Sequence, residues 1–342
     1  MRKLLQNRIS ESKWTMPVVS LYAAAVWLAA DRLTGELLPQ FVCFVASAFL
    51  MVLLNKQNAL IRISTRMVSC SFIVLTCMMT WAFDSVAVAI VSLCVITNYL
   101  ILFSCYQNSE AQGWFFYAFL SIGMASLVFP QILYFVPFIW ILAATKIQSF
   151  SLKSLCASLL AIILPYWFLA AFLFLRDGNI AAILNHFAKL GQFDSLDFVI
   201  QSISAQLTPL NATPSPFLDE PSGRAVTPFA FRLSPFIFQV LDLIFIVILF
   251  VTGAIHFLRR AYNDKLRTRQ YFSFFMLMFL FTLVFLLLQP RHREFLLPIL
   301  AINAAPLVAH FIALTNTRLT NAAFVLITVV AVVLTAASLL LT

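Results

Sequence analysis

Runs of apolar residues long enough to cross a bilayer recur along most of this chain, and no other feature restricts its fold as strongly. A hydrocarbon layer about 30 Å thick takes about 20 residues of helix to cross. Read with a window of that size, the sequence places candidate spans at 15–30, 38–54, 67–83, 85–104, 114–129, 132–145, 155–175, 236–257, 271–288, 295–314 and 322–341. The expected fold is all-α, a polytopic transmembrane bundle of about 11 spans. The pair 114–129 and 132–145 is short and turns at Pro130-Gln131. It reads either as two spans or as a re-entrant hairpin, and both readings return the chain to the same side.

Composition agrees with that class. Of the 342 residues 62% are hydrophobic and 10% charged, where a soluble domain is about a quarter charged. Phe occurs 36 times and Gly only 7 times, so bulky side chains together with Ala and Ser, rather than glycine grooves, must fill the helix contacts. The cysteines at 43, 70, 77, 94, 105 and 156 form no CxxC pair. They read as small apolar fillers, not as a disulfide framework or a metal site.

Charge supplies the orientation. With the N-terminus cytoplasmic, the inner segments hold 15 of the 22 Lys and Arg, and the outer segments hold 9 of the 13 Asp and Glu. That bias has the sign of the positive-inside rule, with the C-terminus outside. A basic start before an apolar run also suits a cleaved signal peptide, but retaining the run preserves the alternation of loop charge. The inner loop "RRAYNDKLRTR" at 259–269 reads as topology and anionic-lipid contact, so membrane lipids are expected partners and nucleic acid is not.

One outer segment, 176–235, separates the helices of 1–175 from those of 236–342. Its start, "RDGNIAAILNHFAKLGQF", has apolar residues at helical spacing and is expected to lie on the membrane surface. "DSLDFVIQSISAQL" reads as a second amphipathic helix capped by Asp194 or Ser195, and the following run with Pro209, Pro214, Pro216, Pro221 and Pro228 as an extended arm. The segment is either a connector held on the lipid surface or a lid over an outward-facing site.

Ionisable residues within the spans are few. Asp242 is read as structural, and His256 and His310, near the inner ends of their spans, as interfacial or packed. Without a polar central path, secondary transport loses support. The sequence has no GxxxxGK[ST] loop, no GxGxxG after a strand and no usable HExxH, GxSxG or SxxK motif. ATP-driven transport by this chain alone is therefore excluded, a zinc protease or serine hydrolase has no support, and no metal or other cofactor is expected.

The polar residues of the outer surface remain. "LLLQPRHREFLLPIL" at 286–300 sets Arg291, His292, Arg293 and Glu294 between two apolar runs, and the first outer loop, "ADRLTGELLPQ", carries Asp31 and Glu36. Charged groups at helix ends commonly anchor depth by reaching headgroups. A guanidinium at that level also suits phosphate, because its planar fork binds two oxygens, and an outer carboxylate can act as general base for an acceptor hydroxyl. In this second reading Asp31 or Glu36 is catalytic, and Arg291, His292 and Arg293 bind a lipid phosphate.

Many spans, acids in the first outer loop and an outer arginine near the C-terminal helices make the chain resemble polyprenyl-phosphate-sugar-dependent glycosyltransferases of the GT-C superfamily. The resemblance implies Asp31 or Glu36 as base, Arg291 or Arg293 as carrier-phosphate ligand, and a polyprenyl-phosphate-linked glycan as partner. The first loop is shorter than is typical of that superfamily, and its two acids are five residues apart. "LNKQNALIRISTR", "LPYWF" and "PLVAHFIALTNTRLTN" are similar to an uncharacterised family of polytopic inner-membrane proteins of Bacteroidota, which implies a bacterial inner membrane and no particular reaction. The expected function is handling of a lipid-linked envelope precursor, with glycosyl transfer as its sharpest form. A non-catalytic assembly or scaffold subunit is the alternative, and an exporter or flippase a further one.

Overall fold

The computed structural model describes residues 5–30, 38–63, 65–177, 186–191 and 235–341. Every apolar segment read from the sequence is helical over most of its length, though 67–83 and 132–145 are each built from more than one helical piece. In chain order the α-helices are α1 (Leu5–Glu11), α2 (Thr15–Ala29), α3 (Leu38–Asn58), α4 (Met67–Met78), α5 (Val86–Ser104), α6 (Gln112–Val128), α7 (Phe135–Leu142), α8 (Leu152–Asp177), α9 (Pro235–Arg260), α10 (Leu266–Leu288), α11 (Arg293–Leu314) and α12 (Arg318–Leu341). Among the described residues 8 helical stretches are long and apolar enough to cross a membrane, counting Pro130–Ile147 around α7 as one. The apolar helices α2, α4 and α6 are shorter, with 15, 12 and 17 residues. At 1.5 Å per residue they rise about 18–26 Å.

The sequence reads 67–83 as one run, whereas α4 stops at Met78 and the chain tightens into a 3₁₀ turn, Thr80–Asp84. That turn delivers polar groups to partners within an apolar bundle: Thr80 Oγ1 shares a hydrogen bond with Ser338 Oγ of α12, and Trp81 Nε1 donates to Asp242 Oδ2 of α9 at 3.1 Å. A buried polar group without a partner costs on the order of 1–3 kcal/mol. This favours the tighter turn over a continued helix.

At the centre runs α11, buried along nearly all its length although Pro298 and Pro306 interrupt its hydrogen-bond ladder. It packs against α1, α4, α5, α9 and α10, so helices from both sides of the 176–235 segment share one core. Aromatic rings fill much of that core. Tyr99, Phe103, Tyr271, Phe274 and Phe275 meet between α5 and α10, and Phe250 stacks on Phe279 at 3.7 Å. One contact does require glycine: a Cβ on Gly253 of α9 would sit 2.8 Å from the Leu307 carbonyl oxygen of α11.

The helix ends sort into two polar faces. At one, here the Asp264 end, Thr65 Oγ1 donates to the Ser10 carbonyl at 2.6 Å, and Arg267 Nη2 donates to Asn58 Oδ1 at 3.2 Å. Gln107 Nε2 donates to Gln148 Oε1 at 3.2 Å, and the Tyr106 ring meets that of Tyr271. These contacts bring together α1, the α3–α4 loop, the start of α10 and the loops flanking α6 and α7. The opposite face, the Arg291 end, gathers the turns at Pro130 and Pro290 and the start of α9.

Candidate functional site

At the Arg291 end two X-Pro steps build the same device. A residue before proline is pushed out of the α region. Gln289 accordingly takes φ −133° and ψ 64°, ending α10, and Phe129 takes φ −127° and ψ 90°, ending α6. Each proline opens a 3₁₀ turn, Pro290–His292 and Pro130–Tyr134. The two turns touch: the Phe129 ring stacks on Phe295 at 4.4 Å and meets the His292 ring edge-on at 5.4 Å.

The three basic residues read from the sequence as one group therefore differ. Arg293 is tied down, its Nε donating to Gln239 Oε1 while its guanidinium lies 4.9 Å from the centre of the Phe236 ring. His292 is half-buried against Phe129. Arg291 is exposed and makes no hydrogen bond or ion pair among the described residues. Asp31 and Glu36 lie outside the described residues. The helices flanking them end near this same face, since Trp27 of α2 and Gln40 of α3 line a small cavity with Pro298 of α11. Trp27 Nε1 and Gln40 Oε1, both buried, have no partner among the described residues.

Most of 176–235 also lies outside the described residues, including the second amphipathic helix and the proline-rich arm read from the sequence. Its described pieces flank the Pro290 turn. On one side, His186 Nε2 donates to the Ser126 carbonyl at 2.9 Å and the Tyr134 hydroxyl donates to the Leu190 carbonyl. On the other, α9 begins at Pro235 and is held by the Arg293–Gln239 bond.

The Asp264 end carries a polar chain that the sequence reading missed. His310 on α11 and Asp264 in the α9–α10 connection are both buried, with Nε2 to Oδ2 at 3.2 Å. Asp264 Oδ1 is 3.0 Å from Arg62 Nε, and Arg62 Nη1 donates to the Asn263 carbonyl at 3.3 Å. His310 Nδ1 faces His256 Nδ1 on α9 at 3.3 Å. A carboxylate only accepts, so His310 carries its proton on Nε2. With His310 neutral, its Nδ1 accepts from His256, leaving the buried His256 Nε2 as an acceptor without a partner. His256 and His310 are thus linked members of a four-residue network rather than independently packed groups. The only signals in the sequence were two histidines near inner helix ends. Among the described residues no His, Cys, Asp and Glu come together in an arrangement suited to a metal ion.

Asp242, 1% exposed, accepts from the Trp81 indole. That pair gives it a structural partner and no basic group for a proton relay. Comparison of the chain with protein-family models, with curated proteins and with solved structures finds no match.

Proposed function

We propose that this protein handles a lipid-linked precursor at the Arg291 end, which faces away from the cytoplasm of a bacterial inner membrane. Arg291 takes the carrier phosphate. The observation that carries the reading is the division of labour in the Pro290 turn: Arg293 and His292 are occupied by Gln239, Phe236 and Phe129, while the exposed Arg291 is free of described partners. A guanidinium held at the headgroup level by a rigid turn binds phosphate through two parallel N–H donors. In the sharper form, one acid of the first outer loop, Asp31 or Glu36, takes the proton of an acceptor hydroxyl as glycosyl transfer proceeds from a polyprenyl-phosphate carrier. The shared cavity of Trp27, Gln40 and Pro298 supports it, because Pro298 is only about 7 Å of helix rise from Arg293.

An assembly or scaffold subunit is the second reading, favoured by the centre of the bundle, where α11 is enclosed by apolar and aromatic side chains. One experiment separates the two. In nanodiscs, Arg291→Ala is expected to weaken binding of a polyprenyl phosphate on the order of tenfold, about 1.4 kcal/mol. In cells, loss of one of Asp31 or Glu36 is expected to abolish a glycan product at normal protein level. Unchanged binding by Arg291→Ala removes the phosphate reading, and a normal glycan profile in all three variants favours the scaffold.

A further inference from the structure

A cavity of about 480 Å³ opens between α1, α2, α4, α9, α11 and α12, toward the Asp264 end and away from the site proposed above. Its walls are hydrocarbon over most of their depth, with Val74 and Leu75 from α4, Phe245 and Leu249 from α9, Val308 from α11 and Ile327 from α12. Its volume falls within the range of small-molecule sites. From Met67 to Leu75 the α4 wall rises about 12 Å, a depth suited to part of a hydrocarbon chain.

Most polar groups lie at one side; Thr328, beside Ile327 on α12, is already satisfied, its hydroxyl donating to the Phe324 carbonyl at 2.9 Å. Arg8, Ser12, Trp14 and Thr15 form the rim. Arg8 is exposed and makes no hydrogen bond or ion pair among the described residues. Its position is fixed because α1 is bonded to the end of the central helix: Gln6 Nε2 donates to the Ile312 carbonyl and to Thr315 Oγ1, and Gln6 N donates to Asn321 Oδ1 at 3.0 Å. Trp14, 75% exposed, stands beside exposed Lys13, the residue pair expected where a membrane meets water. One turn of α4 below the rim, Ser71 lines the cavity. It is 7% exposed, and its Oγ has no partner among the described residues.

We infer that this cavity binds one acyl chain of an anionic membrane phospholipid, with the phosphate on Arg8, the ester carbonyl on the Ser71 hydroxyl and the chain along the α4 and α9 walls. The order of chemistry down the cavity is that of such a lipid: cation and aromatic ring, then a single unpartnered hydroxyl, then mostly hydrocarbon. A free anion would leave the apolar depth unfilled, and a wholly apolar ligand would leave Ser71 unpaired. The inference does not rest on the proposed function, which concerns the opposite face.

Native mass spectrometry of the full chain in detergent tests it, with phosphatidylglycerol, phosphatidylcholine and inorganic phosphate as separate probes. The expected result is one phosphatidylglycerol retained per chain, at least tenfold in preference to phosphatidylcholine, and no protection by inorganic phosphate. Arg8→Gln, an exposed change that leaves the bundle intact, is expected to remove the preference between the two lipids. Ser71→Phe, which fills the cavity, is expected to remove retention of both, and Ala331→Leu serves the same purpose if Ser71→Phe does not fold. Equal retention of the two lipids by the unaltered protein, undiminished phosphatidylglycerol preference in Arg8→Gln, or competition by inorganic phosphate overturns the inference.

Discussion

Asp264 illustrates how one side chain can hold three separate elements. It lies in the short α9–α10 connection yet is only 6% exposed, because His310 of α11 and Arg62 of the α3–α4 loop both reach it. Removing one partner of a buried polar pair leaves the other with its full desolvation cost, whereas an ion pair with an exposed partner contributes little. Asp264→Ala strands the buried His310 Nε2–H and is expected to destabilise by about 2–3 kcal/mol. Arg62→Ala, on a residue whose side chain is 43% exposed, is expected to cost less than about 1 kcal/mol. Thermal unfolding in detergent measures both, and equal losses would contradict this ranking. The sequence exposes the histidines but not the network. His310 and Asp264 are separated by 46 residues, and nothing local to either records the other.

At the scale of elements, hydropathy located the helices well and their ends less well. The run at 155–175 extends to Leu152–Asp177, since Lys153 and Arg176 lower the hydropathy of a window without breaking a helix. Helix α1 was not legible at all: it is short, and it is fixed by Gln6 reaching the end of α11 rather than by its own pattern. The scarcity of glycine correctly indicated bulky contacts, as the Phe250–Phe279 stack shows, but composition cannot mark where backbone approaches backbone, as at Gly123 against Ala161 and Ile162 of α8. The tighter approach is at Gly253, facing Leu307. Gly253→Val must push α9 away from α11 and is expected to lower stability by about 1–3 kcal/mol. A melting temperature equal to that of the unaltered protein would show that the two helices part without cost.

For the whole molecule the arrangement of ends is the testable quantity. Loops carrying Asn108, Gln148 and Lys265 belong to the Asp264 end, while Ser85 and Arg291 belong to the opposite face. After replacement of the free cysteines, single cysteines at these positions should divide accordingly toward a membrane-impermeant thiol reagent applied to sealed vesicles. Asn108→Cys and Gln148→Cys are expected to react from the side of Lys265→Cys, and Arg291→Cys only from the other. Reaction of positions 265 and 291 from one side would remove both the orientation and the proposed phosphate site.

Hydrophobicity and charge are properties of each residue that accumulate along a window, and so the sequence by itself determined that this chain is helical, which stretches are apolar and where the basic loops fall. Partnership between distant side chains is not additive in that way. Which of three adjacent basic residues stays free, which carboxylate meets His310, and that a cavity edged by Arg8 and Ser71 opens between six helices were decided only when packing fixed the helices against one another. A local window cannot read contacts that depend on the distances between its own residues and those of another helix.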